Sequence, residues 1–257
     1  MSDFRSGIPV SSQASKVLQL QKAVGNRGVY RLLQLAGKSS VAQLTPDGLV
    51  QLIPEVTRRQ TRGLMLVDNL SRAIQTAARQ YNIKPELLGV ILMHESQARE
   101  RSIWGNERLA NAAERAQAAI QGERASVGIG QMEVRTAAAL RRRHPELAGG
   151  EIVDDLLQQE RAVQYVAARL QDLQGDIRTF FSARRASLSP EAEVDLAAIA
   201  YNTGWESLRD RNLLDENLGS TLPERVTALR SRSSYLRFTT AYLPLMRVWM
   251  QRSGGQQ

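Results

Sequence analysis

At 257 residues, 42% hydrophobic and only 5% aromatic, the chain is long enough to bury one good core and too apolar for a disordered one. Its net charge of +8, from 34 Lys and Arg against 26 Asp and Glu, suits an anionic partner, whether nucleic acid, anionic lipid or an acidic cell-wall polymer. No basic patch interleaved with aromatics singles out nucleic acid, no run reaches the roughly 20 apolar residues of a membrane span, and the absence of cysteine excludes disulfides, zinc–thiolate centres and thiol nucleophiles.

The first 60 residues hold 8 bases and 3 acids, and they open without the apolar core of a secretion signal, so synthesis in the cytoplasm is expected. Residues 1–15 read as a polar tail. Two short apolar helical patterns follow, Val17–Val24 and Val29–Leu35, broken at Gly25-Asn26, which suit a left-handed cap or turn. The segment Leu20–Gln34, L-Q-K-A-V-G-N-R-G-V-Y-R-L-L-Q, resembles a signature near the start of many bacterial proteins encoded with extracellular contractile injection systems. That resemblance implies a cargo or toxin packaged with such a particle and delivered outside the producer or to a target periplasm or wall. Residues 36–60 read as linker; the G-K-S-S within them lacks the upstream glycines and strand of a phosphate loop.

The main domain is expected over residues 61–250 and is mainly helical, with 251–257 as a frayed tail. Leu66, Leu70, Ile74 and Ala77 mark one amphipathic helix. Pro85 then starts another, I-K-P-E-L-L-G-V-I-L-M-H-E-S-Q, whose Leu88, Ile91 and Leu92 share a face with Glu95 at its end. Burial opposes ionisation of a carboxylate so placed, and a protonated carboxyl near neutral pH is what a general acid requires. Helix geometry alone fits equally a helix end that reaches solvent, with Glu95 at the rim.

Leu109–Ile120 forms the next helix. The glycine-spaced A-S-V-G-I-G-Q-M-E-V-R-T-A reads as a small hairpin or turn feeding a helix at Thr136. Gly149-Gly150 precedes a long helix from Glu151, and further helices are expected at Asp176–Arg185 and Pro190–Tyr201, the latter capped by Ser189 and ended by Asn202-Thr203-Gly204. Residues 207–222 read as loop. The aromatic stripe Tyr235, Phe238, Tyr242 and Trp249 reads as core. His94 need not share a cleft with Glu95, because neighbouring helical positions point about 100° apart. His144, in R-R-R-H-P-E, reads as exposed. H-E-S lacks the second histidine of a zinc protease helix, so neither metal nor cofactor is expected.

Glu95-Ser96, Ser126–Glu133 and Ala200–Gly204 (A-Y-N-T-G) taken together resemble the lysozyme-like muramidases and lytic transglycosylases, whose pattern is a helix ending E-S, a G-L-M-Q stretch and A-Y-N-x-G. The resemblance implies a peptidoglycan glycan strand as substrate for a monomeric, lysozyme-like helical domain. It makes Glu95 the acid that protonates the glycosidic oxygen and Tyr201 the hydroxyl that orients it. Ser96, Gly128, Gln131, Met132 and Asn202 become cleft residues. The inward face Val194–Ala197–Ala198 independently turns the Tyr201 ring into the core, where its hydroxyl needs a partner, expected to be Glu95. Gly130 replaces the usual methionine and removes a wall of the cleft.

Nearest in pattern are goose-type lysozymes, which place acids before and after G-L-M-Q; Glu123 and Glu133 fall there. Either would serve as the base of a hydrolysing muramidase that cuts between N-acetylmuramic acid and N-acetylglucosamine. Lytic transglycosylases need no such base, since the sugar's own 6-hydroxyl closes an anhydro ring. A non-catalytic particle component or wall-binding module is the remaining alternative.

Overall fold

The computed structural model describes residues 58–102, 107–215 and 219–254. The expected N-terminal hairpin, its Gly-Asn-Arg centre and the linker to residue 57 lie outside the described residues. The chain divides into two compact units, Met1–Met65 and Leu66–Gln257, and of the first only the start of helix α1 (Arg58–Asn69) is described.

The second unit is mainly helical, as its composition requires. The stripe Leu66–Leu70–Ile74–Ala77, expected as one helix, is divided at Leu70 (φ −98°, ψ 6°) into α1 and α2 (Ser71–Gln80). Ile74 N–H still donates to the Leu70 carbonyl at 2.8 Å, and Leu70, Ile74 and Ala77 stay buried across the break. Helix α2 stops on a left-handed Asn82 (φ 49°). Its last carbonyls are satisfied by Asn82 N–H on Arg79 O at 3.3 Å and Ile83 N–H on Ala78 O at 3.0 Å, a Schellman arrangement.

Pro85 then opens α3 (Pro85–Ser102). This helix is the centre of the fold: Leu87, Leu88, Val90, Ile91, Leu92 and Met93 are all fully buried. At about 1.5–3 kcal/mol per buried large side chain, it contributes more to the core than a one-sided stripe could. It packs against α2 and against α7 (Gln159–Ala183), α8 (Pro190–Thr203) and α11 (Ser234–Gly254). Gly89 admits α11 closely, since a Cβ there would stand 2.9 Å from Met246 Sδ.

Between α3 and α7 lie α4 (Glu107–Gln121), the two-residue strands β1 (Ser126–Val127) and β2 (Met132–Glu133), α5 (Val134–Arg143) and α6 (Ile152–Leu157). The strands pair antiparallel, Ser126 with Glu133 and Val127 with Met132. The expected long helix from Glu151 is broken by an extended Gln158 (φ −81°, ψ 115°). Beyond it, α7 runs unbroken through Gly175 and absorbs the separate helix expected at Asp176. Burial of Leu173 and Ile177 on either side outweighs the roughly 1 kcal/mol a mid-helix glycine costs.

Helix α8 starts where expected, with Ser189 Oγ accepting from Ala192 N–H at 3.2 Å, and ends on Gly204 at φ 83°. Residues 207–222, expected as loop, instead hold the end of α9 (Trp205–Leu208) and a π-turn, Arg209–Leu213. Helix α10 (Leu222–Arg232) follows, opened by a capping box between Thr221 and Glu224. Helix α11 continues through residue 251, the expected start of a tail, to Gly254.

Candidate active site

Glu95 lies on α3 one turn beyond the fully buried Ile91 and Leu92, and is 8% exposed. Its Oε1 accepts the Tyr235 hydroxyl at 2.8 Å. His94 Nδ1 stands 3.6 Å from the same oxygen. Both side chains come from the region where α11 crosses α3: the His94 ring lies 4.2 Å from Tyr235 and 4.7 Å, edge-on, from Phe238. Tyr235 and Tyr242 of the aromatic stripe are buried, as expected of core, and the Tyr235 hydroxyl is turned to Glu95. His94 stands beside Glu95, with the Tyr235 and Phe238 rings of α11 against its imidazole.

Tyr201, near the end of α8, is turned inward as its helical face requires, but its hydroxyl donates to the Gly130 carbonyl at 2.7 Å and not to Glu95. The charge of Glu95 still reaches it. Burial first, then that charge, hold the Tyr201 phenol well above its ordinary value. The same two causes in the same order raise Tyr235. Both phenols thus remain hydrogen-bond donors throughout the physiological range, and Glu95, Tyr201 and Tyr235 form one electrostatically coupled group.

The hairpin turn supplies the next face. Gly128 (φ 77°) and Gln131 (φ 45°) close it, with Gln131 N–H on Gly128 O at 3.0 Å. Only glycine fits at 128, where a Cβ would fall 1.9 Å from the Leu156 carbonyl oxygen of α6. Nor does Gly130 leave an open wall, as expected from the missing methionine. Val166 of α7 occupies that space, its Cγ2 2.4 Å from where a Cβ would sit.

The other expected site residues divide. Ser96 turns its hydroxyl back on the Met93 carbonyl at 3.0 Å. Met132 is buried and packs inward from β2. Asn202 is exposed at the end of α8. Glu123 is exposed in a 3₁₀ turn (Gly122–Arg124), and Glu133 is engaged by Arg135 Nε at 2.5 Å.

A carboxylate the sequence reading passed over is held more firmly than either. Glu114 of α4 is 4% exposed and accepts from Arg99 Nε at 3.0 Å, Gln131 Nε2 at 2.9 Å and Gly128 N–H at 3.1 Å. Its signal was present: the buried positions of α4 are Ala110, Glu114 and Ala118, a helical stripe with a carboxylate in its middle. Arg99 likewise falls one turn after Glu95. His144, expected to be exposed, is largely buried, with Nε2 2.9 Å from Asp172 Oδ1 and its ring edge-on to Tyr81. Among the described residues no group of three or more His, Asp or Glu side chains could hold a metal ion.

Helix α3, expected to end at Glu95, runs on to Ser102. A carboxylate sheltered within that helix, two raised phenols that feel its charge and a turn bonded to one of them make an arrangement suited to delivering a proton to an ether oxygen. Residues 72–220, more than half of the chain, match the family model described as the Transglycosylase SLT domain. No curated protein and no solved structure matches the chain.

Proposed function

Because the chain belongs to the transglycosylase SLT domain family and is thus a peptidoglycan-acting, lysozyme-like protein, we propose that it is a lytic transglycosylase. It cleaves the β-1,4 bond between N-acetylmuramic acid and N-acetylglucosamine and leaves a 1,6-anhydro end. Glu95 carries the chemistry. The Tyr235 hydroxyl occupies Oε1, so the proton of the neutral acid resides on Oε2 and is donated from there to the glycosidic oxygen. As that bond breaks, the muramyl 6-hydroxyl attacks C1 and returns its proton to the Glu95 carboxylate, which restores the acid without a water base.

The observation that carries this reading over hydrolysis is the state of the other carboxylates. Glu123 is exposed, Glu133 is paired with Arg135, and Glu114 is paired with Arg99. None of the three is a free carboxylate beside Glu95 of the kind an inverting hydrolase uses to activate water. Association with a contractile injection particle, implied by the N-terminal signature, is part of the proposal. Substituting Asn26 and Arg27 by alanine should abolish copurification with such particles, and unchanged copurification would remove it.

Digestion of purified peptidoglycan, followed by mass analysis of the muropeptides, tests the chemistry. Anhydro ends are expected, and reducing ends would replace transglycosylation with muramidase hydrolysis through Glu123 or Glu133. Glu95→Gln keeps the shape and removes the proton, so product formation should cease while the thermal midpoint holds. Normal turnover by that variant would sink the assignment of Glu95.

A further inference from the structure

Helix α4 separates Glu95 from the hairpin turn in sequence, and through Glu114 it joins them in space. We propose that Glu114 is a positioning residue that fixes the polarity of Gln131, so that the cleft presents a hydrogen-bond acceptor to donors of the N-acetylated sugar. This rests on the peptidoglycan reading above and specifies how the turn recognises its substrate.

The chemistry of the partners forces the orientation. A carboxylate accepts and cannot donate, and the same holds for a backbone carbonyl. Gln131 faces one of each, Glu114 Oε1 at 2.9 Å and Gly128 O at 2.9 Å. Its amide must therefore turn the NH2 towards both. The amide oxygen is left for the half-exposed side, where it accepts from a hydroxyl or an acetamido N–H. With the amide reversed, its oxygen would meet two acceptor oxygens.

Glu114 can hold this arrangement because it is itself over-determined. Arg99 Nε neutralises Oε1 at 3.0 Å, and the second arm of the guanidinium donates to Asn111 Oδ1 on the same helix. Oε2 takes the Gly128 N–H at 3.1 Å, which also pins the glycine that opens the turn. Arg99 follows Glu95 by one helical turn, so the acid and the turn are referred to a single rigid element. A buried ion pair is poor evidence for stability in itself. Here its two carboxylate oxygens are spent on the backbone and side chain of the substrate-facing turn, which a purely structural pair would not need.

Glu114→Gln in the full chain keeps the volume but replaces one acceptor position with a donor, so the three N–H groups can no longer all be received. The expected result is a KM for purified peptidoglycan raised about tenfold, with kcat nearly unchanged. In a Gln131→Ala background the same substitution should raise KM much less than it does alone, because only its hold on the Gly128 N–H is then left to lose. Additive effects, or an unchanged KM in Glu114→Gln, overturn the proposal.

Gln131→Met decides the matter if Glu114→Gln does not fold. It removes the acceptor from the turn, and a wild-type KM in that variant also overturns the inference. Wild-type protein that releases no products from peptidoglycan takes down the transglycosylase reading instead. Binding of Glu95→Gln to insoluble sacculi, with and without Gln131→Met, then judges the present inference alone: weaker binding supports it, and equal binding refutes it.

Discussion

Tyr235 donates to the oxygen of Glu95 that the proton does not use, and its burial keeps it a donor at any pH where the acid works. Hydrogen bonds to charged groups contribute about 1.5–3 kcal/mol, and the bond strengthens as Glu95 becomes a carboxylate in the transition state. Tyr235→Phe should therefore lower kcat by roughly tenfold to a hundredfold, with little change in KM and a thermal midpoint lower by a few degrees. Steady-state turnover of purified peptidoglycan measures this, and an unchanged kcat would reduce Tyr235 to packing. Local period put Glu95 on a buried stripe but fitted a solvent-reaching helix end equally well, and it was the family resemblance that made it the acid. Its partner was not legible, because Tyr235 lies 140 residues away and no helical period relates the two.

At the scale of elements, the hairpin turn is held between α6, α7 and α8 with no slack. Gly130 faces Val166 of α7 and the Tyr201 hydroxyl of α8, so a methyl group there must displace one of them. Gly130→Ala should cost about 1–3 kcal/mol through overpacking. Adding Val166→Ala should return part of that loss, as read from urea unfolding midpoints. No recovery would mean that the strain falls on Tyr201 instead. The turn's glycines and its Gln131 were visible in the sequence, but the consequence of a missing methionine was not, since only packing shows that α7 fills the space. The helices divide similarly. The Ser189 cap and Gly204 stop of α8 were readable from residue types alone. Yet α7 ran through Gly175 because neighbouring burial outweighed propensity, and α10 was missed although Thr221 and Glu224 spell its capping box.

Across the molecule, Asp155 ties three helices together. Its carboxylate is paired with Arg141 of α5 and with Arg161 of α7, the latter at 2.8 Å, and the Tyr165 hydroxyl lies 3.3 Å away. Burial alone would raise its pKa, but the hydrogen bonds from Arg161 and Arg141 outweigh that and hold it below the ordinary 3.8. A carboxyl depressed in the folded state stabilises fully above its unfolded value and loses that contribution as pH falls through the folded one. The wild-type protein should thus lose stability more steeply below about pH 4 than Asp155→Asn. That variant should already be weaker by about 1–2 kcal/mol at neutral pH, since it leaves two partly exposed guanidinium groups short of a charge. Urea unfolding across a pH series tests both statements, and parallel curves would remove Asp155 from the acid response.

The sequence by itself determined what is local. It set the helical class, the start at Pro85 of the helix that carries Glu95, the glycine turn before Gln131 and the A-Y-N-T-G stop of α8, because period, caps and left-handed positions are written in neighbouring residues. Tertiary structure alone decided the partners. It put Tyr235 on Glu95, Tyr201 on the Gly130 carbonyl and Glu114 beneath Gln131. Those pairings depend on which helices cross and at what height, and that is settled by burial summed over the whole core.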